Sequence, residues 1–179
     1  MNQAKRSIKV SVAEIAEAID NSSMEARHYL DLETGKIILI TEDDTFLLNE
    51  VTREHGDPTT GKVDWASVLP KLDLDDYEKE NLLIVNAIDV EESQRYLAIP
   101  GQSSREGHKD MAEFIATLSS ARLQVRLENA IKGRGAFRAF KDALSAYPTE
   151  RAAWFRFRDQ RSRQRALGWM ESEGLEAIG

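Results

Sequence analysis

The sequence predicts an α+β protein. An acidic N-terminal part, residues 1–100, carries a helix and a β-hairpin, and a C-terminal part, residues 101–179, folds as a bundle of about four helices. Three observations lead there. The stretch HYLDLETGKIILI (residues 28–40) alternates apolar and polar positions, turns at Glu33-Thr34-Gly35, and continues as a β-rich run. Ser11-Val12-Ala13-Glu14 has the form of a capping box ahead of apolar residues at helical spacing. Beyond residue 100 the pattern is helical, broken only at Ser119-Ser120, Gly133–Gly135 and Pro148-Thr149. The two parts are read either as separate lobes or as one domain over 1–179.

The elements follow in order. Ile8 and Val10 form a short strand or extended lead-in to a helix near 12–20, whose Val12, Ile15, Ala16 and Ile19 share a face. After the hairpin, Thr41-Glu42-Asp43-Asp44 caps a helix carrying Phe46, Leu47, Leu48 and Val51. HGDPTTGK (55–62) is a loop, because two glycines and a proline interrupt regular structure. A short helical turn over 64–69 precedes a helix over 73–92, whose acidic first turn suits the helix dipole. Arg95 to Ile99 is a short strand ended by Pro100-Gly101. Helices near 103–118, 120–132, 135–146 and 149–173 complete the chain.

Composition narrows the function classes. The chain has 179 residues, 41% of them apolar and 31% charged, as in an ordinary globular protein. It has no cysteine, which excludes disulfides, thiolate metal sites and cysteine nucleophiles. No run approaches the roughly 20 apolar residues that span a bilayer, and the N-terminus lacks the apolar core of a signal peptide. A cytoplasmic protein with no membrane partner is expected. The net charge of −7 is unevenly spread. Residues 119–179 hold 12 basic and 7 acidic residues, whereas residues 1–118 hold 12 basic and 24 acidic ones. Such asymmetry marks either a surface for an anionic partner or a basic lobe docked on an acidic one.

The segment GRGAFRAFKDAL (133–144) is the most pointed motif. A dinucleotide fingerprint fails, because Arg138 stands where its third glycine belongs and a helix precedes Gly133. A P-loop fails for want of Gly-Lys-Ser/Thr. Gly133 is expected to end one helix in the left-handed conformation, and Gly135 to cap the next. Phe137, Phe140 and Leu144 are assigned to the core, while Arg134, Arg138 and Lys141 share another face. The open N–H groups of that helix start, beside a guanidinium, suit a phosphate or carboxylate. In the last helix Ala152, Phe155, Ala166, Trp169 and Met170 project along one stripe, assigned to the core. Trp154, Arg158, Arg161 and Arg165 fall in a neighbouring band about 60° wide at helical pitch. Arginines edged by an aromatic suit phosphates and stacked bases. Stacking on Trp154 or pairing with N-terminal acids explains the same pattern without a ligand.

No catalytic motif is complete. The carboxylates Glu42-Asp43-Asp44, Asp73 with Asp75-Asp76, and Glu91-Glu92 read as helix caps or solvated faces. His28, His55 and His108 fall in different elements, none with a second metal ligand at i+3 or i+4. No GxSxG occurs. No metal site and no cofactor are expected.

Taken together, HYLDLETGKIILI, RYLAIP, IKGRGAFRAFKDAL, WFRFRDQ and GWMESEGL, in this order, resemble an uncharacterised family of small bacterial proteins of unknown function. The resemblance runs from about residue 12 to 176 and implies a bacterial cytoplasmic protein, with no catalytic residue to carry over. The expected role is a non-enzymatic binding or regulatory module. Its anionic partner, an acidic protein surface or nucleic acid, would meet Arg134, Arg138, Lys141, Trp154, Arg158, Arg161 and Arg165. The alternatives are a metal-dependent hydrolase assembled from dispersed carboxylates, among them Asp43 and Asp44, with a histidine, and a structural homo-oligomer.

Overall fold

A computed structural model describes residues 6–91 and 94–177. Strand β1 (Arg6–Ile8) leads into helix α1 (Val12–Asn21), held at its start by the reciprocal Ser11–Glu14 capping box. The hairpin strands β2 (Ala26–Asp31) and β3 (Ile37–Thr41) pair antiparallel, with Leu30 opposite Ile37 and Ala26 opposite Thr41. Gly35 makes the turn with φ +74°, and a Cβ there would lie 2.2 Å from the Lys9 carbonyl oxygen. Both the backbone conformation and the close approach therefore require glycine.

Helix α2 (Glu42–His55) opens with a second capping box, Thr41 with Asp44. A short α3 (Trp65–Val68), a 3₁₀ turn (Leu69–Lys71) and α4 (Asp76–Glu91) follow. The expected helix over 73–92 thus starts three residues later, where Asp75 and Glu78 exchange capping hydrogen bonds. Its expected end at residue 92 lies outside the described residues. Strand β4 (Tyr96–Ile99) joins β2 on the side away from β3, so the hairpin becomes a three-stranded sheet ordered β3-β2-β4.

The C-terminal part holds α5 (Ser104–Thr117), α6 (Ala121–Ala130), α7 (Ala136–Leu144) and α8 (Pro148–Ser172). The fold is α+β, as the sequence predicts. What the sequence reading lacks is β5 (Leu175–Ala177), which pairs parallel with β1 in a second, two-stranded sheet. No helix among the described residues is long and apolar enough to cross a membrane.

Three apolar clusters hold the elements together. One lies on the face of the sheet that carries Leu30 and Ile99, under Ile15 and Ile19 of α1, and takes Ala166 and Met170 from α8. It therefore draws on both ends of the chain. The opposite face carries Tyr29, Ile40 and Tyr96 against Leu48 and Val51 of α2 and Leu82, Val85 and Ile88 of α4. The third lies within the helical part and centres on Phe114, Leu127, Phe140 and Trp154. The alternation of β2 serves the first two, sending Tyr29 to one side and Leu30 to the other.

Asp31, at the end of β2, ties the sheet to its loops. Its carboxylate accepts from Arg95 Nη2 at 2.9 Å and Nε at 3.2 Å, and from the Glu33 backbone N–H at 2.8 Å. Burial acts to raise the Asp31 pKa, but the Arg95 and backbone hydrogen bonds outweigh it and hold the carboxyl at about 2. The folded value lies below the unfolded one, so this stabilisation is present above the unfolded pKa and fades as pH falls toward 2. The expected loss is about 2 kcal/mol. Urea unfolding at stepped pH should show Asp31→Asn lacking this slope between about pH 5 and 2. Parallel pH profiles for the two proteins would count against the latch.

Candidate functional site

The joint between α6 and α7 is a helix–helix connection. Helix α6 ends at Ala130, earlier than the expected 132, and the Ile131 carbonyl lies 2.9 Å from His108 Nε2 of α5. The left-handed residue is Gly135 (φ +76°), directly before α7, and Gly133 is not among the glycines with positive φ. The two glycines thus divide the roles differently from expectation. The left-handed turn falls at the start of the new helix because α6 already ends three residues before Gly133.

Helix α7 is strongly two-sided. Phe140 and Leu144 are each 1% exposed, as the spacing predicts. Phe137 is not a core residue: it is 44% exposed. Its ring lies over α5 at Gly107, where a Cβ would come within 2.7 Å of Phe137 Cζ. Only the missing side chain at 107 admits the ring there. Around it Arg134, Arg138 and Lys141 are exposed. Arg138 reaches Asp142 only at 3.9 Å, with 91% of its side chain exposed. A contact of that length and exposure contributes little.

Helix α8 departs further from its expected faces. Trp154 is 7% exposed, meets Phe140 edge-on at 4.9 Å and Phe114 edge-on at 5.3 Å, and stacks on Phe157 at 6.0 Å. It is a core residue, not the aromatic margin of a binding surface. Ala152 and Phe155, expected in the core, are exposed instead. A single projection assumes one buried stripe along all 25 residues. In the fold, the first half of α8 faces the aromatic cluster and the second half faces α1. The buried side rotates between them, from Trp154 to Ser162, Ala166 and Met170.

The arginines of that band are brought together, and two are occupied. Arg161 Nε donates to Asp110 Oδ1 at 3.0 Å and its Nη2 meets Glu113 at 3.2 Å. Arg165 donates to Asp110 Oδ2, with Glu106 at 3.8 Å. Gln102 Nε2 donates to the same carboxylate at 3.0 Å. Asp110 itself is 1% exposed, in the middle of α5. The docking partner is therefore α5 within the helical part, not the acidic N-terminal part. The sequence carried a signal for it. Glu106, Asp110 and Glu113 stand at i, i+4 and i+7, one helix face that matches the spacing of Arg158, Arg161 and Arg165.

Arg158 is differently placed. Its guanidinium lies 5.6 Å from the Phe155 ring, whose other neighbour is Arg151 at 5.5 Å. Its Nη2 reaches Asp159 at 3.3 Å, while its buried Nε has no hydrogen-bond partner among the described residues. It lines a cleft of about 520 Å³ between α1 and α8 with Glu17, Asp20, Gln102 and Ser162. Ser162 donates to Asp20 Oδ1 at 2.6 Å and bridges α8 to α1. The cleft mixes acidic and basic walls.

Two of the expected carboxylates act as helix caps, and Glu42, Asp43, Asp73 and Asp76 are exposed. Asp44 accepts from Thr41 and from Asn81, and Asp75 caps α4. Glu92 lies outside the described residues. No group of three or more histidines and carboxylates that could hold a metal occurs among the described residues. Asp57, in the HGDPTTGK loop, is held below the usual carboxylate range by hydrogen bonds from the backbone and hydroxyl of Thr60 and the backbone of Thr59.

Comparison with known proteins gives a family. The model of an uncharacterised protein family, UPF0158, matches residues 61–178, and the chain belongs to that family. The UPF0158 protein PA5073 of Pseudomonas aeruginosa is 26% identical over 171 residues, covering 96% of this chain and 87% of that protein. No solved structure matches the chain.

The Asp110 cluster yields a stability prediction. Asp110→Ala leaves two largely buried guanidinium groups without their shared carboxylate. It should cost about 3 kcal/mol, the low end for a broken buried pair, because Arg161 is 30% exposed. Arg138→Ala should stay within about 0.5 kcal/mol. Urea unfolding that ranks the two in the opposite order would refute this division of the arginines.

Proposed function

We propose that this member of the UPF0158 family is a non-enzymatic binding module that takes up an acidic protein surface on the outer face of α7. Arg134, Arg138 and Lys141 supply the charge and Phe137 the apolar anchor. The observation that carries the reading is the contrast between the two sets of cations. Arg161 and Arg165 are spent on Asp110, whereas the α7 set surrounds a partly exposed phenylalanine and its ion pair among the described residues, Arg138 with Asp142, is a solvated i+4 contact. Exposed aromatic and arginine side chains together are the usual anchors of protein interfaces.

An acidic protein is preferred over nucleic acid because the chain carries −7 overall. A duplex with one charge every ~1.7 Å would be repelled by the acidic remainder of the molecule. A protein surface can present a few carboxylates to α7 alone. Arg158 and Arg151, around Phe155, form a second exposed aromatic–arginine group that could extend the contact.

Fluorescence anisotropy tests this with a labelled Asp/Glu-rich peptide containing one aromatic residue, a single-stranded RNA and a duplex DNA, each across salt. The peptide should bind best and weaken as salt rises. The triple variant Arg134→Ala, Arg138→Ala, Lys141→Ala should lose at least about tenfold in affinity, equivalent to ~1.4 kcal/mol, while unfolding in urea as wild type does. Preference for RNA or DNA, or an unchanged triple variant, would overturn the reading.

A further inference from the structure

We propose that two copies of this chain associate through the open edge of β3, in an antiparallel two-fold pair centred on Leu39. The argument starts from the backbone. The Asp31 N–H donates to the Lys36 carbonyl and the Glu42 N–H to the Glu25 carbonyl. With the alternation of an antiparallel ladder, Ile38 and Ile40 also bond toward β2, and Ile37, Leu39 and Thr41 turn their N–H and C=O groups outward. Among the described residues only β2 pairs with β3. Edges of this kind are normally blunted by lysine, proline or a bulge. The run Ile37-Ile38-Leu39-Ile40-Thr41 contains neither charge, proline nor glycine.

Hydrogen bonding and the flanking charges together select one register. The Thr41 N–H is already taken by Asp44 Oδ2 at 2.8 Å and its carbonyl accepts from the Thr45 hydroxyl at 3.1 Å, so Thr41 can offer only the second lone pair of that carbonyl. Centring on Leu39 puts each Leu39 opposite the partner's Leu39, where the two exchange N–H and C=O bonds. Each Ile37 N–H then meets the carbonyl of the partner's Thr41. Every outward donor is satisfied and the occupied one is left alone. The same register puts Lys36 opposite the partner's Glu42, twice by symmetry, and opposite charges face across both ends. Neither residue joins an ion pair among the described residues.

Space and apolar area agree with this. A cavity of about 500 Å³ runs beside the strand, walled by Leu39, Tyr77 and Ile84. Leu39 is 48% exposed and Tyr77 76% exposed, apolar surface a partner would cover. Strands lie about 4.8 Å apart, so the two β2 strands would be about 14 Å apart. That leaves room for the two α1 helices, which need about 8–10 Å. Such an edge is smaller than a standard interface, so the dimer is weak and depends on concentration.

The test is sedimentation equilibrium over a wide concentration range, using charge variants that complement each other. Wild type should approach twice its 20.2 kDa as concentration rises. Lys36→Glu puts glutamate opposite the partner's glutamate, and Glu42→Lys puts lysine opposite lysine. Each alone should weaken self-association by about tenfold. Mixed together they should form a heterodimer at least as tight as wild type, because every facing pair is again of opposite sign. A fold defect could not be rescued in this way. Wild type that stays monomeric up to about 1 mM, or variants that self-associate as wild type does, would overturn the proposal. So would a mixture that fails to pair.

Discussion

A single buried carboxylate sets the geometry of the helical part. Asp110 sits at 1% exposure in the middle of α5, where an unpaired charge would be severely destabilising. It is kept there by Arg161, Arg165 and Gln102, which approach from α8 and from the loop before α5. Two arginines four residues apart on α8 can reach one carboxylate only at one rotation and one height of that helix. The pairing therefore specifies how α8 lies on α5 more than it adds net stability, since burying three charged groups has its own desolvation cost.

The rotation has consequences at both ends of α8. Toward its start, it turns Trp154 into the aromatic group of Phe114, Phe140 and Phe157 and turns Phe155 out to Arg151 and Arg158. Toward its end, it directs Ser162 at Asp20 and lays Ala166 and Met170 on α1. The chain then closes as β5 beside β1. Arginines that looked like one basic band thus become two populations, one internal and one exposed, divided by where a single acid sits. Glu106 follows the same logic. Hydrogen bonds from the Ser103 hydroxyl and backbone hold its pKa below the usual range, and Arg165 lowers it further.

Local chemistry was legible in the sequence, and nonlocal chemistry much less so. Ser11 with Glu14, and Thr41 with Asp44, form the boxes their spacing suggests because every participant lies within one turn. The hairpin was readable for the same reason: Gly35 and the alternation around it are contiguous. β5 was not, because Leu175-Glu176-Ala177 has no pattern of its own and is a strand only through β1, some 170 residues away. Trp154 was misplaced because one projection cannot represent a helix that changes neighbours along its length. Asp110 went unnoticed because one aspartate in a polar helix looks solvated until the opposing arginines are set beside it.

The same distinction bears on which surfaces can meet a partner. An arginine is available for recognition only where the fold does not already satisfy it, and the sequence counts all twelve basic residues of 119–179 alike. Asp110, Glu106 and Glu113 remove Arg161 and Arg165 from that number. Gly107 then admits the ring of Phe137 against α5, and leaves it partly open among Arg134, Arg138 and Lys141. One helix, α5, therefore neutralises Arg161 and Arg165 of α8 along one row. Through the residue it lacks at 107, it also builds the platform on which α7 presents its own.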